Sequence, residues 1–115
     1  MKYVMLIYME EGALTEAERE KCYVESAQLA RQLHSNGQYL ATAPLQPVST
    51  ATSVRVRDGK RLVTDGPFAE THEQLGGYML IEVTGRDEAI AIAARGAVAR
   101  VGTVEVRPVR EGPPT

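Results

Sequence analysis

Seven consecutive apolar residues, Tyr3-Val4-Met5-Leu6-Ile7-Tyr8-Met9, constrain this chain more than any other stretch of it. A strand apolar at every position is buried on both faces and belongs in the middle of a sheet. Glu10 and Glu11 end the run at once. It is too short for a signal-peptide core with its cleavage site, and far below the ~20 residues of a membrane helix. The expectation is therefore a cytoplasmic protein without membrane association. A sheet with a doubly apolar central strand also needs cover on its second face, and a chain of 115 residues has enough length for one domain only.

The next segment reads as a helix over Glu16–Ser35. Thr15 and Glu18 form a capping-box pattern, in which hydroxyl and carboxylate satisfy the first free amides. Glu16, Glu18 and Glu20 crowd the positive end of the helix dipole. Cys22, Ser26, Leu29, Ala30 and Leu33 recur at three- and four-residue spacing as one narrow core-facing stripe. Gly37, after Ser35-Asn36, is the stop. A strand over Gln38–Ala43 follows, closed by Pro44 and Pro47.

Asp58-Gly59 between Thr52–Arg57 and Lys60–Thr64 predicts a two-residue hairpin, because both turn positions need positive φ. Counting outward pairs Arg57 with Lys60, Val56 with Arg61, Arg55 with Leu62 and Val54 with Val63. One face then carries Val54, Val56 and Val63, and the other Arg55, Arg57 and Lys60. Asp65 to Gln74 reads as a polar loop, and Gly77–Thr84 as an apolar strand. A second helix begins near Arg86, with Ala89, Ile90, Ala93 and Ala97 as its buried stripe. Thr103–Val109 is the last strand, and Pro108 inside it points to an edge. Residues 1–110 make one domain and 111–115 a flexible tail.

Strand, helix, strand, hairpin, strand, helix, strand is an α+β order. Without the hairpin it is βαββαβ, the ferredoxin-like plan with two helices on one face of an antiparallel sheet. The uncovered second face predicts a homodimer in which two sheets face each other as an α/β barrel.

Thirteen Lys and Arg against fifteen Asp and Glu leave a net charge of −2, no basis for direct nucleic-acid binding through phosphate neutralisation. The near-balance hides a division. Arg55, Arg57, Lys60 and Arg61 against Asp58 alone make residues 38–64 formally +3, while residues 65–85 hold Asp65, Glu70, Glu73 and Glu82 and no Lys or Arg. The single cysteine, Cys22, excludes an internal disulfide and any multi-cysteine zinc site; on the inward stripe it reads as a small buried hydrophobe.

The densest polar cluster is Asp65-Gly66-Pro67-Phe68-Ala69-Glu70-Thr71-His72-Glu73-Gln74. Histidine titrates near neutrality and a carboxylate can orient it, so Asp65, Glu70 and His72 are the candidate acid–base residues. The competing reading is a loop polar because it is exposed, with Asp65 capping a turn. Phe68, the lone Phe, more often plugs such a loop into the core than stacks on a ligand. Tyr8 and Tyr78, on the expected central strands, could aim hydroxyls into a cleft, although core tyrosines are as common. Arg55 and Arg57 make either a solvated hairpin face or an anion contact. Asp65, Glu70, His72 and Glu73 are metal-ligand types without ligand spacing, so no metal site is expected. His34 reads as a favourable charge at a helix C-terminus. No cofactor is implied.

Three stretches carry a family resemblance: Thr52-Ser53-Val54-Arg55-Val56-Arg57-Asp58-Gly59, Val63-Thr64-Asp65-Gly66-Pro67-Phe68-Ala69-Glu70-Thr71, and Glu73-Gln74-Leu75-Gly76-Gly77-Tyr78. With the opening Met1–Tyr8 and the closing Val104–Pro108, the chain resembles the YCII-related family, and within it the DGPF branch named for the motif at Asp65–Phe68. The resemblance implies the dimeric ferredoxin-like barrel. For the wider family an enzymatic role with a His–Asp pair in the inter-sheet cleft is implied. Matching His34-Ser35-Asn36-Gly37 puts the family's helix histidine at about Ser26, which cannot accept a proton as imidazole does. His72 stands where relatives usually have Lys. Branch members commonly accompany extracytoplasmic-function sigma factors of bacteria, which implies a regulatory setting.

Three functions follow as candidates. The first is a small-molecule-binding dimer with acid–base activity, built on Asp65, His72 and Glu70 with Tyr8, Phe68, Tyr78, Arg55 and Arg57 as ligand contacts. The second is a non-catalytic sensor linked to a sigma factor, and the third a structural dimerisation module. Whether the chain is an enzyme stays open at this level.

Overall fold

A computed structural model describes residues 1–112. Its main sheet has four antiparallel strands in the order β2-β5-β1-β6. These are β1 (Lys2–Met9), β2 (Tyr39–Pro44), β5 (Gln74–Glu82) and β6 (Thr103–Pro108). A separate two-stranded sheet pairs β3 (Thr52–Arg57) with β4 (Lys60–Asp65). Two helices, α1 (Glu16–Ser35) and α2 (Arg86–Arg95), cover one face of the main sheet. This is the ferredoxin-like α+β plan with an inserted hairpin.

The apolar run Tyr3–Met9 lies between β5 and β6, the central place that its composition demands. Alternation divides it. Tyr3 and Met5 are buried against the helices with Met79, Ile81, Leu29, Leu33 and Ile92. Val4, Leu6 and Tyr8 face the other way, opposite Leu80, Tyr78 and Leu75 on β5, and no helix among the described residues packs over them. A β-bulge at Gly76 shifts the register of β5 between Ile7 and Tyr8. The Gly76 carbonyl accepts the Leu45 amide at 2.8 Å. β6 is an edge strand, and Pro108 sits at its last position, where a missing N–H costs little.

Helix α1 has the bounds that its capping signals predict. Thr15 Oγ1 accepts the Glu18 amide at 3.1 Å, and Glu18 Oε1 accepts the Thr15 amide at 2.9 Å. At the far end Gly37 takes φ +72°. The Gln38 and Gly37 amides then reach back to the carbonyls of Leu33 and His34, a Schellman closure.

Three expectations change. Ile90 is 42 % exposed, and the buried positions of α2 are Ala89, Ile92 and Ala93. Ala97 is buried but lies beyond the helix, in a 3-10 turn over Ala97–Arg100 that starts after Gly96. Asp65 and Gln74, expected in the loop, belong to the strands β4 and β5 that flank it, and Thr84 lies past the end of β5. Of the tail predicted at 111–115, residues 113–115 lie outside the described residues, and Glu111 Oε1 accepts the Lys2 amide at 3.2 Å.

Glu88 ties α2 to its surroundings. Its carboxylate accepts from Thr84 Oγ1 at 2.6 Å and from Gln38 Nε2 at 2.7 Å. These bonds, the Thr84 hydroxyl first, hold its pKa below the ordinary 4.5. A depressed carboxylate adds stability that is full above about pH 4.5 and is lost as pH falls through the lower folded value. Glu88→Gln is therefore expected to flatten the acid limb of the stability–pH curve below about pH 5, relative to wild type. Urea midpoints at pH 7 and pH 4 measure this, and parallel curves for the two proteins would contradict it.

Candidate functional site

The hairpin arm β3–β4 has the register that its turn predicts: Arg57 opposite Lys60, Val56 opposite Arg61, Arg55 opposite Leu62 and Val54 opposite Val63. Asp58 and Gly59 take φ of +52° and +73°, as the turn requires. Outside its own pairing the arm packs extensively on no other element. The radius of gyration, 16.0 Å, exceeds the about 13 Å of a compact chain this long. The arm stands off the body.

The Asp65–Phe68 motif forms the root of that arm. Gly66 takes φ +104°, a backbone region that disfavours side chains. Its amide donates to the Ala51 carbonyl at 2.7 Å, and its carbonyl accepts Ser53 Oγ at 2.8 Å. The motif glycine thus clasps the end of β4 to the start of β3. Asp65 pairs in register with Thr52, is exposed, and its carboxylate makes no ion pair among the described residues.

Phe68 does not plug into the core. It is 75 % exposed, because Gly66-Pro67 turns the chain along the arm instead of toward the sheet. The Arg55 guanidinium lies over its ring, 4.8 Å from the centroid. With Ser53 and Arg57 these two residues line a shallow open concavity. The Arg57 guanidinium is turned back to the Val56 carbonyl at 2.9 Å.

His72 pairs with neither Asp65 nor Glu70. Its Nε2 lies 3.1 Å from Glu10 Oε2, a contact between two exposed side chains that sets the loop beside the end of β1. Sequence reasoning missed Glu10, for which the only signal was the Glu10-Glu11 pair that ends the apolar run. Farther along, Thr71 Oγ1 donates to the Glu73 carbonyl and Gln74 Nε2 to the Thr71 carbonyl, which rounds off the loop. Tyr8 and Tyr78 share the uncovered sheet face, with Tyr78 37 % exposed. The side-chain hydrogen bonds among the described residues use neither phenol hydroxyl; Tyr78 takes part through its carbonyl, which accepts Thr42 Oγ1.

Ser26 lies on the opposite side of the sheet. It lines a cavity of about 30 Å³, room for one water, among Met5, Ile7, Leu29 and Ile92. Its hydroxyl is thus remote from the uncovered face. Cys22 is half-buried on the same helix stripe. His34 sits in the last turn of α1, its ring 6.3 Å from that of Tyr39. Among the described residues no three His, Cys, Asp or Glu side chains converge as metal ligands.

The profile of the YCII-related domain matches residues 1–112. The chain belongs to the YCII-related family. An uncharacterised protein of Rhizobium meliloti (strain 1021) is 35% identical over 114 residues, which cover 95% of this chain and 92% of that protein. Among solved structures, the chain is similar to 5-chloro-2-hydroxyhydroquinone dehydrochlorinase (TftG) of Burkholderia phenoliruptrix AC1100 in complex with 2,5-dihydroxybenzoquinone. The TM-score is 0.62 at 15% identity, with 97% of this chain and 96% of that one covered. At that identity the likeness establishes the shared fold. No helix among the described residues is long and apolar enough to cross a membrane.

Proposed function

We propose that this YCII-related chain acts as a homodimer that binds a small organic molecule between the uncovered sheet face and the Asp65–Gln74 loop. The observation that carries this reading is that face itself. Val4, Leu6, Leu80, Tyr8 and Tyr78 form an apolar floor with two unengaged phenol hydroxyls at its margin, the composition of a small-molecule site. A single-domain body spanning residues 1–110 provides one such face, and two copies enclose it. His72, oriented by Glu10, is the proton carrier of the site, with Asp65 and Glu70 as the free carboxylates. TftG holds a dihydroxyquinone on the same fold, which supports an aromatic oxygen-bearing ligand here. In this reading the dimer works in a bacterial cytoplasm, with a sigma factor as its functional neighbour.

One observation favours a second reading of the motif. The Gly66 clasp gives Asp65–Phe68 a structural task at the arm root, independent of any ligand.

The ligand reading is tested with 2,5-dihydroxybenzoquinone itself. Amide shifts are expected at Tyr8, Tyr78 and His72, and the Tyr8→Phe, Tyr78→Phe double variant should bind about tenfold more weakly or worse. Absence of shifts on this face would leave only the structural reading. Sedimentation equilibrium at micromolar concentration tests the dimer, and a one-chain mass would refute it.

A further inference from the structure

The arm carries a pattern that the ligand reading does not use. Thr52 and Asp65, Val54 and Val63, and Val56 and Arg61 are opposite pairs on one of its faces. From root to tip that face reads acid, apolar, base. Asp65 and Arg61 are four residues apart on one strand, about 13 Å. Val54, Val56 and Val63 beside them are 60 %, 61 % and 56 % exposed, so nothing among the described residues covers the strip. A two-stranded hairpin without a packed face is marginal in water, yet this one is fully regular.

A strip of this kind is complementary to itself. Two copies related by a two-fold axis and laid antiparallel put valines on valines, and each basic tip on the other's acidic root. We propose that the β3–β4 arms of two chains pair in this way, with Asp65 of each chain against the partner's Arg61. The inference rests on the homodimer of the preceding section and adds a second contact to it. The partner's Arg61 then stands beside Asp65, so the arm root that carries this candidate site residue is completed by the other chain.

Area supports the same occupant. At ~4.8 Å between strands and ~3.3 Å per residue, the uncovered face of the four-stranded sheet spans on the order of 400 Å². A stable interface buries roughly 800 Å² per partner. The sheet face alone supplies about half, and the exposed valines of paired arms add to it. Charge points the same way: this face carries Arg61 near the tip and Asp65 at the root, and an antiparallel arrangement sets each base against an acid.

Arg61→Asp and Asp65→Arg test the pairing. Each single variant carries like charges at both ends of its strip, and should self-associate at least about tenfold more weakly than wild type by sedimentation equilibrium. Mixing the two variants should restore wild-type affinity, because every acid in the mixed pair again faces a base. The double variant Asp65→Arg, Arg61→Asp should also self-associate like wild type. Single variants as tight as wild type, or a mixture that fails to recover, would overturn the arm pairing and leave the homodimer standing. A wild-type chain that sediments as a monomer would overturn both.

Discussion

Gly102→Ala is expected to destabilise the fold by about 3 kcal/mol, the upper range for an atom forced into occupied space. A Cβ at Gly102 would lie 2.3 Å from the Tyr8 carbonyl oxygen and 3.3 Å from the Met9 Cα. Both obstacles are backbone in a central strand, so no rotamer change relieves them. The Gly102 amide is held as well, donating to the Val98 carbonyl at 2.7 Å. The chain must therefore shift β6 away from β1 or break this turn. Thermal unfolding followed by circular dichroism should show a midpoint about 12 °C lower. A loss under about 1 kcal/mol would show that β1 and β6 yield there easily. The displaced strand end carries Tyr8, so ligand contact at that phenol should weaken together with stability.

Leu33→Ala is expected to cost about 3–4 kcal/mol, as large truncations in a packed core do. Leu33 is fully buried, and α1 uses it with Leu29 to seat on the sheet beside Ile81, which is equally inaccessible. The cavity left behind cannot collapse readily, because sheet backbone forms its floor. Against a total stability of roughly 5–15 kcal/mol this is a large fraction. Ile90→Ala, on the exposed side of α2, is the matched control and should change stability by less than about 1 kcal/mol. Equal losses at the two positions would mean that the helices do not pack as described.

Local signals made most of the fold legible. The helix bounds of α1 followed from Thr15, Glu18 and Gly37, whose bonding is satisfied within a few residues. The arm register followed from Asp58-Gly59, because a two-residue turn leaves one way to count outward. Ala89 and Ala93 are buried as their spacing predicts, but the alanines on more than one side of the short helix α2 leave Ile90 and Ile92 equally eligible beside them, and it is Ile92 that turns inward. The bulge at Gly76 and the extension of β5 back to Gln74 depend on partners seventy residues away on β1, which no local pattern reports.

The site was legible in part. Tyr8 and Tyr78 lie on the central strands expected of them, and they share the uncovered face. Asp65, Glu70 and His72 are neighbours in the sequence but are not drawn together in the chain, because His72 is taken by Glu10. That partner lies sixty-two residues away, at the far end of the loop's reach. Phe68 went outward for a reason visible only in space: the Asp65–Phe68 turn follows the arm, and the arm leaves the body.

The extra residue at Gly76 divides β5 into two reading frames. From Gly77 onward, alternate residues Met79, Ile81 and Val83 point to the helices and are buried. Before Gly76 the phase is inverted, so Leu75 stands opposite Tyr8 on the uncovered face rather than in line with Gly77. One strand thereby serves two masters, its later half filling the core and its first residues furnishing the floor beside the loop. Counting by twos from Ile81 assigns every position before Gly76 to the wrong side. Drift in that short first frame can thus reshape the candidate site while the frame that builds the core is left untouched.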